Sequence, residues 1–127
     1  MLRKASAWGP SPYQWAAAGY SGAIGSGRTI CGFLFGGALY LGYLHGENSA
    51  HAPDLKNPGR LAAITAVKNL FAGFIERFGD TDCRALSGCD FSQPADRQRY
   101  YRDRVYETSC FLQMRYVIDT CKPVDAG

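Results

Sequence analysis

Downstream of Asn57 the apolar residues Leu61, Ile64, Val67, Phe71, Phe74 and Phe78 return every three or four positions. A helix of 3.6 residues per turn gathers such a set into one stripe, so a helix is predicted from about Arg60 to Phe78, stopped by Gly79. Upstream, Ile30 to His45 is almost wholly apolar, with Thr29 suited to cap its start and Gly46 to end it. Gly32, Gly36, Gly37 and Gly42 lie inside that run, each costing up to ~1 kcal/mol relative to Ala in a helix. Their presence implies close approach of another backbone or a cofactor.

Asp80 or Thr81 suits the cap of a short turn holding Cys83 to Leu86, and Gly88 its end. Ser92 or Gln93, followed by Pro94, opens a last helix carrying Asp96 to Cys121 without a break, stopped by Lys122-Pro123. Almost nothing alternates with the strand period of two. The pattern predicts an all-α fold: a compact helical domain of about four helices, entered through a glycine-rich loop, Tyr20 to Arg28. Residues 1–19 read as an N-terminal extension, 20–121 as the domain with Glu47 to Gly59 as a polar connector, and 122–127 as a tail.

Composition narrows this picture. A chain of 127 residues that is 46% hydrophobic has material for one packed core and not two. Fourteen basic residues against eleven acidic ones leave a net charge of +3, too little to argue for nucleic acid. The opening Met-Leu-Arg-Lys-Ala-Ser-Ala-Trp meets Gly9 and Pro10 before any apolar run develops, so no signal peptide is expected and the cytoplasm is favoured. The uncharged run Ile30 to Leu44 falls short of the roughly 18 to 20 residues a spanning helix needs, which favours a buried helix.

Five cysteines are too few for a disulfide scaffold and odd in number, so metal or redox use fits better than secretion. On one continuous helix Cys110 and Cys121 stand eleven residues apart, about 16 Å at the rise of an α-helix, and cannot share a centre. Cys31, Cys83, Cys89 and Cys110 then form the plausible quartet, with Cys121 a small buried hydrophobe. Four thiolates are the ligand count of an iron-sulfur cluster or a closed zinc site. No Cys-x-x-Cys is present, which removes the signature of thioredoxin-type chemistry, of zinc ribbons and of c-type haem attachment.

Three stretches, Gly22 to Gly46, Phe74 to Ser92 and the neighbourhood of Cys110, resemble the C-GCAxxG-C-C family of redox-active proteins. The chain is also similar to the non-haem domain of split-Soret cytochrome c. Cys31 and Gly32 match the start of the family's Cys-Gly-Ala-x-x-Gly motif and Gly36 its end. Cys83 and Cys89 match a Cys-x-x-Leu-x-Gly-Cys-Asp element, and Cys110 the last cysteine. Phe33 departs from the pattern, standing where the family prefers Ala. The resemblance implies an iron-sulfur cluster, 2Fe-2S or 4Fe-4S, with Cys31, Cys83, Cys89 and Cys110 as metal ligands and Gly32 and Gly36 beside the cofactor. Such a protein passes electrons to a redox partner protein. Membership of a larger complex and self-association stay open, as do a thiol/disulfide carrier using Cys83 with Cys89 or Cys31 and a non-catalytic accessory subunit. Gly32 and Gly36, one turn apart, are expected to mark where the element bearing Cys83 and Cys89 meets the first long helix.

Other motifs weigh less. Gly22 to Thr29 reads Gly-x-x-x-x-Gly-Arg-Thr, one substitution from a phosphate-binding loop, but no buried strand precedes it. Four arginines alternate with three tyrosines between Asp96 and Glu107, and the acids among them favour a solvated helix face over a nucleic-acid track. His45, near a helix C-terminus, suits the helix dipole better than a metal. No nucleophile has a sequence-level base and orienter, so no hydrolase is indicated.

Overall fold

The computed structural model describes residues 17–46 and 56–122. In chain order they form α1 (Ser21–Gly25), α2 (Gly32–Gly46), α3 (Pro58–Phe78), α4 (Cys83–Ser87), α5 (Pro94–Arg102), a π-helical turn (Tyr106–Cys110) and α6 (Phe111–Cys121). No strand occurs among the described residues, and the fold is all-α as expected. The N-terminal extension up to residue 16, residues 47–55 of the connector with His51, and the tail from Pro123 lie outside the described residues.

The core is made where α2, α3 and α6 meet. Leu34, Tyr40 and Leu41 of α2 pack with Leu70 and Phe74 of α3 and with Val117 and Cys121 of α6. Gly37 is the contact point: a Cβ there would lie 2.8 Å from Val117 Cγ1, 3.1 Å from Leu70 Cδ2 and 3.4 Å from Cys121 Sγ. This corrects the expectation for Gly32 and Gly36 as packing positions. A Cβ on Gly36 would meet nothing within 4 Å, and one on Gly32 would meet Ile24 of α1 rather than the Cys83 element. The apolar stripe of α3 is also shifted. Leu61 and Ile64 are exposed while Leu70, absent from the predicted stripe, is fully buried, because the partners α2 and α6 cover only the later turns of this 21-residue helix.

Local signals set most boundaries. Asn57 Oδ1 accepts from the N–H groups of Gly59 and Arg60, and Pro58 occupies the first turn, where its missing N–H costs nothing. Gly79 and Gly88 close α3 and α4 in left-handed conformations, at φ 86° and 68°. The cap of α4 is Asp82, one residue beyond the expected Asp80 or Thr81; Asp80 instead accepts from the amides of Thr81 and Asp82.

Three further expectations fail. The glycine-rich stretch is a short helix rather than a loop, since amides from Ala23 to Gly27 bond back to carbonyls three and four residues earlier, and the ring of Tyr20 stacks on Phe35 of α2. Only Gly27, at φ 73°, needs glycine there. Thr29 does not cap α2; its hydroxyl pairs with that of Tyr20. The last helix is broken. Asp103 ends α5, Arg104 takes φ 54°, and a π turn precedes α6. No proline or glycine forces this break; the rings of Tyr100, Tyr101, Tyr106 and Phe111 pack edge-on and tilted against one another across it.

Candidate functional site

The segments before α2 and α4 run side by side. Cys31 N donates to Thr81 O (2.7 Å) and Cys83 N to Thr29 O (2.9 Å), an isolated antiparallel bridge centred on Ile30 and Asp82. Two backbone bonds thus set the cysteines of two distant sequence elements next to each other. The third arrives from the π turn, where Ser109 Oγ donates to Leu86 O of α4 (2.9 Å) and brings Cys110 with it.

Cys31, Cys83 and Cys110 line one cavity of about 350 Å³. Gly32 and Gly36 form part of its wall, and Phe33, Phe35, Ile24 and Phe91 supply apolar surface; among the described residues no charged side chain lines it. The glycines singled out in the sequence therefore face this cavity. Phe33, where the family prefers Ala, lies in its wall as well. Cys89 does not line it. It is fully buried on the far side of a turn in which Ser87 Oγ donates to Cys83 O (2.8 Å) and accepts from Cys89 N (3.1 Å). Cys121 lies in the core against Gly37, away from the cavity. All five cysteines are free.

Burial governs the thiols. It pushes Cys83 up to about 11, helped by the neighbouring Cys31, Cys110 and Asp82. Cys31 is raised by burial as well, while the amides of Leu34 and Phe33 in the first turn of α2 point at its sulfur and oppose the rise. Cys89 is raised by burial, against the attraction of Arg99.

Sequence reasoning missed two polar residues. Gln113 is 5% exposed, with Nε2 donating to Ser109 Oγ (3.0 Å) and Oε1 facing Cys31 Sγ at 4.0 Å. Its signal was available: it is the one polar member of the stripe Cys110, Gln113, Val117, Cys121. Tyr100, on a stretch the sequence pattern assigns to a solvated helix face, lines the cavity, and burial followed by a hydrogen bond with Cys110 raises its phenol. Three of the four arginines in this stretch have the local acid partners expected of a solvated helix face. Arg99 pairs with Asp96, Arg102 with Asp103 and Arg104 with Glu107. The phosphate-loop likeness fails on charge, because the Asp90 carboxylate occupies the space beside Gly27 that an anion would need.

Fold and site together define an all-α protein built around a cysteine-lined cavity. The family model described as "Putative redox-active protein (C_GCAxxG_C_C)" matches residues 4–123, and the chain belongs to that family. No curated protein and no solved structure matches it. Among the described residues, no helix is long and apolar enough to cross a membrane.

Proposed function

We propose that this is an electron-transfer protein that holds one iron-sulfur cluster in the cavity, with Cys31, Cys83 and Cys110 as ligands; Cys89, buried outside the cavity wall, would be the fourth once the turn from Ser87 to Cys89 rearranges. The observation that carries this reading is the convergence of three thiols, from three separate elements, on a cavity that no charged side chain lines among the described residues. Soft thiolates are the donors that iron-sulfur clusters take, and the polarity of the surrounding walls helps set potential.

Among the described residues no three Cys, His, Asp or Glu side chains stand close enough to share one metal ion. A single zinc ion, bonded to sulfur at ~2.3 Å, would draw its ligand sulfurs to within about 4 Å of each other. A multi-iron cluster spaces its cysteines more widely and occupies volume, which suits thiols placed around a cavity. When bound, it would supply one-electron chemistry. On ligation Cys31, Cys83 and Cys110 would give up their thiol protons, and the amides of Phe33 and Leu34 would stabilise the charge left on the Cys31 sulfur.

Anaerobic purification followed by iron and acid-labile sulfide analysis tests the reading. Cys31→Ala, Cys83→Ala, Cys89→Ala and Cys110→Ala are each expected to lower cluster content, and Cys121→Ala to leave it unchanged. A colourless, iron-free protein that never met oxygen or chelators would refute it, and equal iron loss in Cys121→Ala would refute the ligand set.

A further inference from the structure

One face of α2 is covered at its start and open at its end. Gly32, Phe35, Leu39, Gly42 and Gly46 follow one another at spacings of three and four residues, which makes them one stripe of the helix. The segment around α1 lies over the first two. The ring of Tyr20 stacks on Phe35 with centroids 3.9 Å apart, and a Cβ on Gly32 would come within 3.0 Å of Ile24 Cδ1. Farther along, Leu39 is 43% exposed, and a Cβ on Gly42 or Gly46 would meet nothing within 4 Å. A helix that is apolar all round belongs in a setting that buries it all round. α2 holds no Asp, Glu, Lys or Arg, so its open stretch is at odds with its composition.

The covering segment also has a direction. From Ile24 back to Tyr20 its contacts advance from Gly32 to Phe35, so it runs antiparallel to α2 and, traced toward lower numbers, heads for Leu39. Ala17 and Ala18, the first described residues, line the same cavity as Gly36, about one turn short of Leu39.

We propose that the stretch of α2 from Leu39 to Gly46 is the docking surface for residues 5–16 of this chain, which brings Trp15 against Leu39 and Tyr13 against Gly42. Three observations choose this occupant. The surface spans about 11 Å of helix, and twelve residues cover it even at the helical rise, which gives about 18 Å. Residues 5–27 hold no charged side chain, which suits an uncharged face, and Trp8, Tyr13 and Trp15 bring flat rings to the room that Gly42 and Gly46 leave. The family model matches from residue 4 onward, so these residues belong to the same family domain as the cysteines. The inference is independent of the cluster reading.

Trp8 and Trp15 are the two tryptophans of the chain, so indole fluorescence reports on this segment alone. The test uses the whole 127-residue chain carrying Trp8→Phe, which leaves Trp15 as the single emitter, and compares its emission maximum and acrylamide quenching in native buffer and in urea. Native Trp15 is expected to emit at shorter wavelength and to be quenched severalfold less. Adding Leu39→Glu is expected to return both readings toward their values in urea while far-UV circular dichroism keeps its helical signal. Leu39→Ser repeats the measurement should the Glu variant not fold. Native readings equal to those in urea, or readings unchanged in a folded Leu39 variant, overturn the proposal. Sedimentation velocity over a range of concentrations tests the other occupant. Protection of Trp15 in a monomer supports docking within the chain, whereas protection that arises only as the chain dimerises assigns the surface to a second copy and overturns the proposal.

Discussion

Two adjacent glycines of α2 are expected to respond to the same substitution with opposite signs. Gly36→Ala and Gly37→Ala each gain about 1 kcal/mol of helix propensity, because alanine loses less backbone entropy in a helix interior. For Gly36 that gain stands alone, since its Cβ would meet nothing within 4 Å and would only extend the cavity wall. At Gly37 the new carbon would sit 2.8 Å from Val117 and 3.1 Å from Leu70, side chains only 2% and 0% exposed, so neither can move into solvent. Inserting a methyl into such a core costs about 1–3 kcal/mol, which leaves Gly37→Ala about 1 kcal/mol less stable than wild type and about 2 kcal/mol below Gly36→Ala. At ~4 °C per kcal/mol for a domain of this size, the two should melt about 8 °C apart by circular dichroism. Equal midpoints, or Gly36→Ala melting lower, would refute the assignment of Gly37 as the point where the three core helices touch.

Gly27→Ala is expected to destabilise by about 2 kcal/mol, from the left-handed backbone and the displaced Asp90 carboxylate; Gly88→Ala, equally left-handed but with open space around it, should lose only about 1 kcal/mol in urea titrations. Asn57→Ala removes an acceptor for two helix-end amides and should lower stability by about 1 kcal/mol, with Asn57→Ser recovering most of it. Cys121, 2% exposed and pushed up by burial to about 11, binds its proton more tightly folded than unfolded. The unfolded chain therefore holds fewer protons between about pH 9 and 11, and this thiol makes stability fall by up to about 1.4 kcal/mol per pH unit there. Urea melts at pH 8 and pH 10 should show that loss in wild type and a smaller one in Cys121→Ala; an identical loss in both would refute it.

The sequence by itself determined what neighbouring residues control. Gly79 and Gly88 after α3 and α4 and the long apolar run of α2 announce their elements because φ restriction and helical periodicity act over a few residues, whereas Asn57 and Pro58, expected in the connector, cap and open α3. It also singled out Cys31, Cys83, Cys89 and Cys110 as one group, with Gly32 and Gly36 beside them; all of these but Cys89 line the cavity. Tertiary structure decided the rest. Which of four glycines touches a neighbouring helix depends on which face of α2 meets Leu70 and Val117, and a helix that is apolar all round does not declare that face. The break at Arg104 has no local breaker; it exists because ring packing and the bond from Ser109 to Leu86 repay a left-handed residue and a π turn that no propensity favours. Gln113 reaches Cys31, 82 positions earlier in the chain, and no local pattern specifies a contact across that separation.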